Sequence, residues 1–453
     1  MQATYTYDDL DEVLSTTYTD STPSASFAYN KGWRTSASNA TSQLVYNTFD
    51  GLGRPTSTTQ TTNGQPYPMS FTYNLAGGIT TVTLPSGRTV TYTTDAGGRP
   101  IEVTGSLNGT PTTYVSSVSY ATQGAAQQIN LGNSLIEQTC YNSRLQPFVI
   151  RQRTGSADSC TSPPAPDLND VGYLAFSFSP TQNNGNVTQQ NITYGKNGTA
   201  YPSLSFVQTY SYDGVNRLTQ VNETGPGTPW YQANGFDYVG NRWVSGGNTT
   251  DPFTPTSSSA IIASSNRLGN NGAQYDGAGN LKQIGGYQYG YDGENRLISS
   301  SANGTTYGYD ADGKRVTKLS SGVTTVYVYD VKGDLASEVT TGGAPPASPC
   351  TTCYQMADHL GSVRMLTDSA GVQQMLYDYY PFGEELTTED GRDARWGPPA
   401  YGLHFTGKEQ EGYEGDYMHY FGARYYAGGQ GRFITPDWSA KPQPVPYADL
   451  MDP

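Results

Sequence analysis

Side chains in several stretches of this chain alternate with the two-residue period of a pleated strand. Thr89-Val90-Thr91-Tyr92-Thr93 and Thr324-Thr325-Val326-Tyr327-Val328-Tyr329 mix β-branched and aromatic residues at that spacing. Such alternation sends one set of side chains to a buried face and the other to water. No apolar run approaches the ~18 residues of a membrane helix; stretches such as Ala260 to Ala263 are only a few residues. Between the alternating stretches an aromatic followed by Asp or Asn recurs. The copies are Tyr7-Asp8, Phe49-Asp50, Tyr73-Asn74, Tyr141-Asn142, Tyr212-Asp213, Phe236-Asp237, Tyr275-Asp276, Tyr291-Asp292, Tyr309-Asp310 and Tyr329-Asp330, with Thr94-Asp95 as a degenerate copy. Their intervals fit a repeating unit of about 20 residues with some copies skipped.

A second regularity sits at the fifth residue counted from the aromatic. Gly53, Gly77, Gly98, Asn216, Gly240, Gly279, Asn295, Gly313 and Gly333 occupy it, and only Asp11 and Leu145 depart. Gly and Asn tolerate the positive φ at which a β-carbon otherwise collides with the backbone, so the position predicts the left-handed residue of a tight turn. The Asp three residues earlier, as at Asp50, Asp213, Asp276, Asp292, Asp310 and Asp330, can accept backbone amide protons inside the same turn. Each copy therefore closes one strand and opens the next. An isolated hairpin is marginal, so neighbouring hairpins must pair edge to edge, and twist curls the resulting sheet. The predicted fold is all-β, a spiralling antiparallel sheet of hairpins that forms a curved or partial shell.

Composition narrows this further. The 453 residues include 53 Gly and 28 Pro, which interrupt helices, and 12% aromatics, too many for typical disorder. A net charge of −14, with only 14% charged residues, disfavours nucleic-acid binding, which draws on clustered positive charge. The opening Met1-Gln2-Ala3-Thr4-Tyr5 has neither a basic nor an apolar signal region. That leaves a cytosolic protein or a fragment as the expectation.

Tyr212-Asp213-Gly214-Val215-Asn216-Arg217-Leu218 and Tyr291-Asp292-Gly293-Glu294-Asn295-Arg296-Leu297 resemble the YD repeat of the rearrangement hot spot (Rhs) proteins, Tc-toxin C components and teneurins. The last third resembles the Rhs repeat-associated core. It carries Asp358-His359-Leu360-Gly361-Ser362-Val363-Arg364, Tyr380-Pro381-Phe382-Gly383-Glu384 and Phe405-Thr406-Gly407-Lys408-Glu409, followed by Tyr420-Phe421-Gly422-Ala423-Arg424-Tyr425-Tyr426 and Gly431-Arg432-Phe433-Ile434-Thr435-Pro436-Asp437. The similarity spans nearly the whole chain, with residues 101–210 poorly matched. It implies a hollow β cocoon whose core segment seals one end and whose partner is an enclosed carboxy-terminal toxin or cargo polypeptide. It also implies further amino-terminal shell or secretion-adaptor segments, and an exported or cell-surface location in bacteria.

Self-cleavage in the family resembles aspartic-protease chemistry, in which paired carboxylates share a proton. Asp437 matches the first catalytic Asp of that pair. A second, in a DPxG-type string, has no counterpart before Asp452-Pro453, so the expected protease centre is incomplete. Asp437-Trp438 and Tyr426-Ala427 also depart from the family wording. The competing reading of Asp437 is a carboxylate that fixes a turn or pairs with Arg424 or Arg432.

Other candidates carry less chemistry. Cys350-Thr351-Thr352-Cys353 has the spacing of half a zinc site, but Cys140 and Cys160 are remote. Two local disulfides, Cys140 with Cys160 and Cys350 with Cys353, or free thiols are the favoured alternatives to a metal. His359, His404 and His419 read as packing or capping residues. Acidic turns such as Asp310-Ala311-Asp312-Gly313 lack the ligand series of a calcium loop. No metal or cofactor is expected, and neither a nucleic-acid partner nor a membrane span.

The expected organisation is a repeat wall over residues 1–340, a Gly/Ala/Pro linker at 341–349, the core segment at 350–437 and a Pro-spaced extended tail at 438–453. Loops are expected near residues 156–167 and 251–265, and a surface insertion at 392–399. Three functions follow: an encapsulating shell, an autoprotease that frees a cargo, and an adhesin or carbohydrate-binding β-repeat. Exposed sheet edges predict self-association or a missing partner segment.

Overall fold

The computed structural model describes residues 2–437, except 161–164, 196–203, 303, 345–347, 389–391, 393–395, 397–401 and 412–417. The tail at 438–453 and part of the linker lie outside the described residues. Twenty strands, from Ala3–Tyr7 to Arg242–Gly247, form one antiparallel sheet in which each strand pairs with its successor. The first and twentieth do not pair, so the sheet is an open meander and not a closed barrel. Residues 101–210 continue it in the same pattern where they are described, although their repeat wording is weak. A second sheet of eight strands runs from Gln274–Tyr275 to Leu335–Thr341. A two-stranded pair, Ile261–Ile262 with Arg267–Leu268, lies between them; three strands, Tyr354–Ala357, Val363–Thr367 and Gln373–Leu376, and four more between Glu409–Glu411 and Arg432–Phe433, complete the described chain. Helix among the described residues is confined to single 3₁₀ turns such as Ser258–Ala260 and Phe405–Gly407.

The repeat turn is a three-residue hairpin loop closed by a bulge. At Asp50 the amide donates to the Arg54 carbonyl (3.0 Å), and the Gly53 amide returns to the Asp50 carbonyl (3.1 Å). The Asp50 carboxylate accepts from the Leu52 and Arg54 amides at 2.9 and 3.0 Å. Gly53 has φ 79° and the strand register slips just before the turn, as a left-handed bulge residue requires. Asp213, Asp276, Asp292, Asp310 and Asp330 accept amides in the same way, and Asn216, Gly279, Asn295, Gly313 and Gly333 all have positive φ.

The two departures from Gly or Asn keep the geometry. Asp11 and Leu145 adopt φ 61° and 63° and donate to the Asp8 and Asn142 carbonyls, so the surrounding sheet imposes the turn on residues that resist it. Further copies lack the aromatic: Asp358 with Gly361 and Asp368 with Gly371 make the same pair of backbone bonds. Alternation of strand direction assigns turns to rims. In the first sheet the Asp- and Asn-led copies at residues 8, 50, 74, 95, 142, 213 and 237 all follow odd-numbered strands. They therefore share one rim. The opposite rim uses two-residue turns at Asn63-Gly64 and Asn108-Gly109, with both residues at positive φ.

Tyr, Asp and Arg then tie neighbouring hairpins together. Arg54 pairs with Asp50 of its own turn at 2.6 Å and donates to the carbonyl of Asn74 in the next copy at 3.0 Å. Its guanidinium lies 4.6 Å from the centre of the Tyr73 ring, whose hydroxyl donates to Pro55 O at 2.6 Å. Arg217 repeats this with Asp213, the Asp237 carbonyl and Phe236. Arg296 lies over Tyr309, and Tyr309 donates to Leu297 O at 2.7 Å. Hydrogen bonds from the Arg54 side chain and backbone amides hold the Asp50 carboxyl below the usual carboxylate range.

Contacts between the two large sheets recur at a nearly constant sequence separation. The Gly293 amide donates to Thr22 Oγ1 across 271 residues, Asn39 Nδ2 to Tyr309 O across 270, and Gln60 Nε2 to Tyr327 O across 267. Arg34 and Asp312 pair at 2.7 Å across 278. Tyr67, Met69, Phe71 and Val82 bury one face against Val326 and Val328. A constant offset means that the wall returns over its own beginning after one circuit.

Three outcomes follow for equilibrium denaturation. Leu145→Gly relieves an exposed residue at φ 63° and is expected to stabilise by about 1 kcal/mol, while Gly98→Ala, at φ 80° with nothing near its missing β-carbon, should cost about the same. Tyr309→Phe removes a buried hydroxyl bonded at 2.7 Å and should cost about 1 kcal/mol; an unchanged midpoint would show that this hydroxyl has no part in linking hairpins.

Candidate functional site in the carboxy-terminal segment

Residues beyond 350 cross the wall and fasten to it through buried charge. The strands of 354–376 pack Met356, Met365 and Leu376 against Leu135, Ile150, Leu174 and Ile192 of the first sheet. Asp358 and Asp378 both grip Arg364, which is 6% exposed. Asp378 also meets Arg392 at 2.6 Å, and Arg392 reaches Glu223 of the wall at 2.9 Å. Trp230 Nε1 and Gln208 Nε2 complete the Glu223 carboxylate at 2.9 and 2.8 Å. Burial raises the Glu223 pKa, with Asp378 adding to the effect and the Arg392 and Gln208 bonds opposing it.

A second clasp joins the four-stranded sheet to the second sheet. Arg315, 1% exposed, pairs with Glu409 and Glu411, and Lys318 meets Glu411 at 2.6 Å. Tyr327 donates to Glu409 at 2.8 Å. Despite burial, Arg315 and Lys318 hold Glu409 below the ordinary carboxylate value. Midway, Arg242 donates to Gly429 O and lies 4.0 Å from the centre of the Phe382 ring. Glu384 accepts from the Thr250 and Asp251 amides at 3.0 Å. The family-like strings thus supply the anchors: Asp358 and Arg364 from one, Glu384 from another, Glu409 from a third.

The expected insertion at 392–399 is corrected at its described residues. Arg392 is 7% and Trp396 2% exposed, and Trp396 stands edge-on to Tyr194 and Phe206 at 5.9 and 6.0 Å. Charge and prolines suggested a surface loop, but the Arg has two buried carboxylates and the indole an aromatic slot. Neither partner is adjacent in sequence.

Asp437 lies at the exposed end of the described chain, its carboxylate 3.5 Å from Arg424. Arg424 stacks over Phe433 at 4.0 Å. Arg432 turns elsewhere, donating to Asn266 O and Asn241 Oδ1. Among the described residues no second carboxylate hydrogen-bonds to Asp437. Cys140 is bonded to Cys160, and Cys350 to Cys353. No group of three or more His, Cys, Asp or Glu among the described residues is placed to hold a metal ion. Sequence reading missed Arg315 and Glu223, because a lone charged residue in a strand looks solvent-facing until its partner some hundred residues away is known.

His419 is 1% exposed and, among the described residues, neither ring nitrogen has a hydrogen-bond partner. Burial, with a smaller contribution from the charge of His404, lowers its pKa to about 3. The unfolded chain, with the ordinary value of 6.5, takes up the proton first, so stability present above pH 6.5 is lost as pH falls toward 3. His419→Leu should remove up to about 2 kcal/mol of the loss between pH 7 and 5, read as a flatter pH dependence of the denaturation midpoint. Arg315→Met strands Glu409 and Glu411 beside Lys318 alone and should cost about 4 kcal/mol; a cost near zero would show that the clasp is not load-carrying.

No protein-family model and no curated protein sequence matches this chain. Solved structures do. A crystal structure of TcdB2–TccC3 with Cdc42 superimposes with a TM-score of 0.66 at 15% identity, covering 96% of this chain and 25% of that one. TcdB2–TccC3 gives 0.64 at 15%, covering 96% and 26%. The Photorhabdus luminescens Tc holotoxin pore carrying a TccC3 mutation gives 0.59 at 15%, covering 97% and 25%. The chain spans about a quarter of the length of the chains it matches. Continuous hairpins, an open curved wall and a superposition over nearly every residue give this chain the Rhs/YD-repeat shell fold of the Tc-toxin complexes.

Proposed function

We propose that this chain is wall and seal of an Rhs-type encapsulating shell that contains a polypeptide cargo for an exported bacterial toxin or competition system. The observation that carries this is the return of the wall over itself at a fixed offset of 267 to 278 residues, with the carboxy-terminal segment buried along it. A wall that only displayed binding sites would not need that circuit. Its net charge of −14 repels nucleic acid, and a surface rich in Tyr, Thr and Asn holds an extended chain without the trapping that a greasy lining causes. The partners are the cargo and the shell or adaptor segments that extend the wall, with self-association through free sheet edges as the alternative use of those edges. A secreted or cell-surface location goes with this reading.

The autoprotease reading has less support, because Asp437 is exposed and paired with Arg424. Expression with the natural downstream sequence tests both. Containment predicts that the downstream polypeptide resists added protease until the wall is denatured; digestion as fast as the same polypeptide made alone contradicts it. If Asp437 serves cleavage, a discrete released fragment forms and Asp437→Asn abolishes it.

A further inference from the structure

Four arginines of the wall, Arg54, Arg99, Arg217 and Arg296, each lie over an aromatic ring and pair with an Asp four residues earlier in the chain. Arg267 keeps the first contact and lacks the second. Its guanidinium is 4.9 Å from the centre of the Tyr275 ring, and the Tyr275 hydroxyl accepts from the Leu268 amide at 2.9 Å. Four residues before Arg267 stands Ala263, at an exposed position. Among the described residues the half-buried Arg267 guanidinium has neither a hydrogen-bond acceptor nor an ion-pair partner.

Arg267 lines a cavity of about 320 Å³ where the two-stranded pair, the start of the second sheet and the last described strands meet. Gly279 leaves room there, since a β-carbon on it would stand 3.2 Å from Arg267 Nη2 and 3.5 Å from Pro436. The second cation of the cavity is Arg432, which donates only to neutral oxygens, Asn266 O at 2.8 Å and Asn241 Oδ1 at 3.1 Å. Burial works against its charge, with Tyr275 and Asp237 opposing. No Asp or Glu is among the described residues that line the cavity. The carboxylates closest in sequence are committed elsewhere: Asp276 to the Ala278 and Asn280 amides and Asn280 Nδ2, Asp237 to the Val239 and Asn241 amides and Asn241 Nδ2, Asp437 to Arg424. In a chain with 25 Lys and Arg against 39 Asp and Glu, two guanidinium groups thus share one space without a counter-charge, an arrangement that an incoming anion relieves.

We propose that this cavity binds a carboxylate borne on an apolar body, the carboxylate serving Arg267 as Asp50, Asp95, Asp213 and Asp292 serve their arginines, with Arg432 as the second positive charge. The precedent of those four pairs selects a carboxylate, whose planar pair of oxygens matches the guanidinium fork, over a tetrahedral phosphate. Tyr275, Leu281, Phe433 and Ile434 line the same space and take the apolar part of the ligand out of water. A small hydrophobic acid and the carboxy-terminal residue of a polypeptide both present this chemistry. Occupation would join the three parts of the chain that meet at the cavity and stabilise them by mass action. The site stands whether or not the wall encloses cargo.

Ligand-observed NMR titration of the whole chain at low salt tests this, with 3-phenylpropionate and N-acetylphenylalanine as probes of the two sources. At least one should bind with a dissociation constant of about 1 mM and raise the melting temperature, and the tighter of the two identifies the source. N-acetylphenylalanine amide, which has the ring without the charge, should not bind. Arg267→Gln should weaken binding about tenfold. Ala263→Asp restores a carboxylate at the spacing of the other four copies, keeps Arg267, and should weaken binding about as much by competing from within; the remote, exposed Lys332→Ala should leave it unchanged. Absence of saturable binding by both acids, equal binding of the neutral amide, or the original affinity in Arg267→Gln or in Ala263→Asp overturns the proposal. Saturable binding of phenyl phosphate with neither acid also overturns it and identifies a phosphate site instead.

Discussion

The rest of this structure depends on how the Arg that follows four of the repeat turns, Arg54, Arg99, Arg217 and Arg296, is shared. Its guanidinium pairs with the Asp of its own hairpin and lies over the aromatic that ends the next copy, as Arg54 does with Asp50 and Tyr73. The Tyr hydroxyl answers with a bond to the strand that Arg begins. A single exposed ion pair of this kind contributes little. Repeated at four turns, with a cation–π contact at each, it ties each of those hairpins to the next. Twist then accumulates in one sense, which is why the sheet comes back over its own first strands.

Closure of the circuit and attachment of the last third use a different currency. Exposed turns tolerate water around their carboxylates, but Arg315 with Glu409 and Glu411, or Arg392 with Asp378 and Glu223, are shut away from it. Buried pairs are a poor source of net stability relative to apolar packing, while a broken one is costly. They therefore specify where the carboxy-terminal segment lands more than how tightly it is held. A segment positioned this way is unforgiving of register errors.

Much of the wall was legible in the sequence because its signals are local. Gly or Asn at the bulge, Asp at the head of the turn and alternation in the strands each act within a few residues. Asp11 and Leu145 show the limit: their positive φ is dictated by the hairpins on either side, not by their own preference. Asn63-Gly64 and Asn108-Gly109 carried a two-residue turn signal that an aromatic-Asp search passes over. The clasps were illegible for another reason. Nothing near Arg315, Glu223 or Trp396 in sequence announces a partner, and the prolines and charges around Arg392 pointed to a surface loop while the folded chain buries it. The cavity at Arg267 shares that obscurity, since its walls come from strands and turns more than a hundred residues apart.

Winding of the wall over itself is the claim on which both containment and the clasps rest. Short-spacer cross-linking of a variant carrying Arg34→Cys and Asp312→Cys, at high dilution and read by mass spectrometry, probes it directly. The account predicts a cross-link within one molecule between these positions, which form an ion pair across 278 residues. Absence of the link, or its formation only between separate molecules, would contradict a returning wall and leave an extended ribbon in its place.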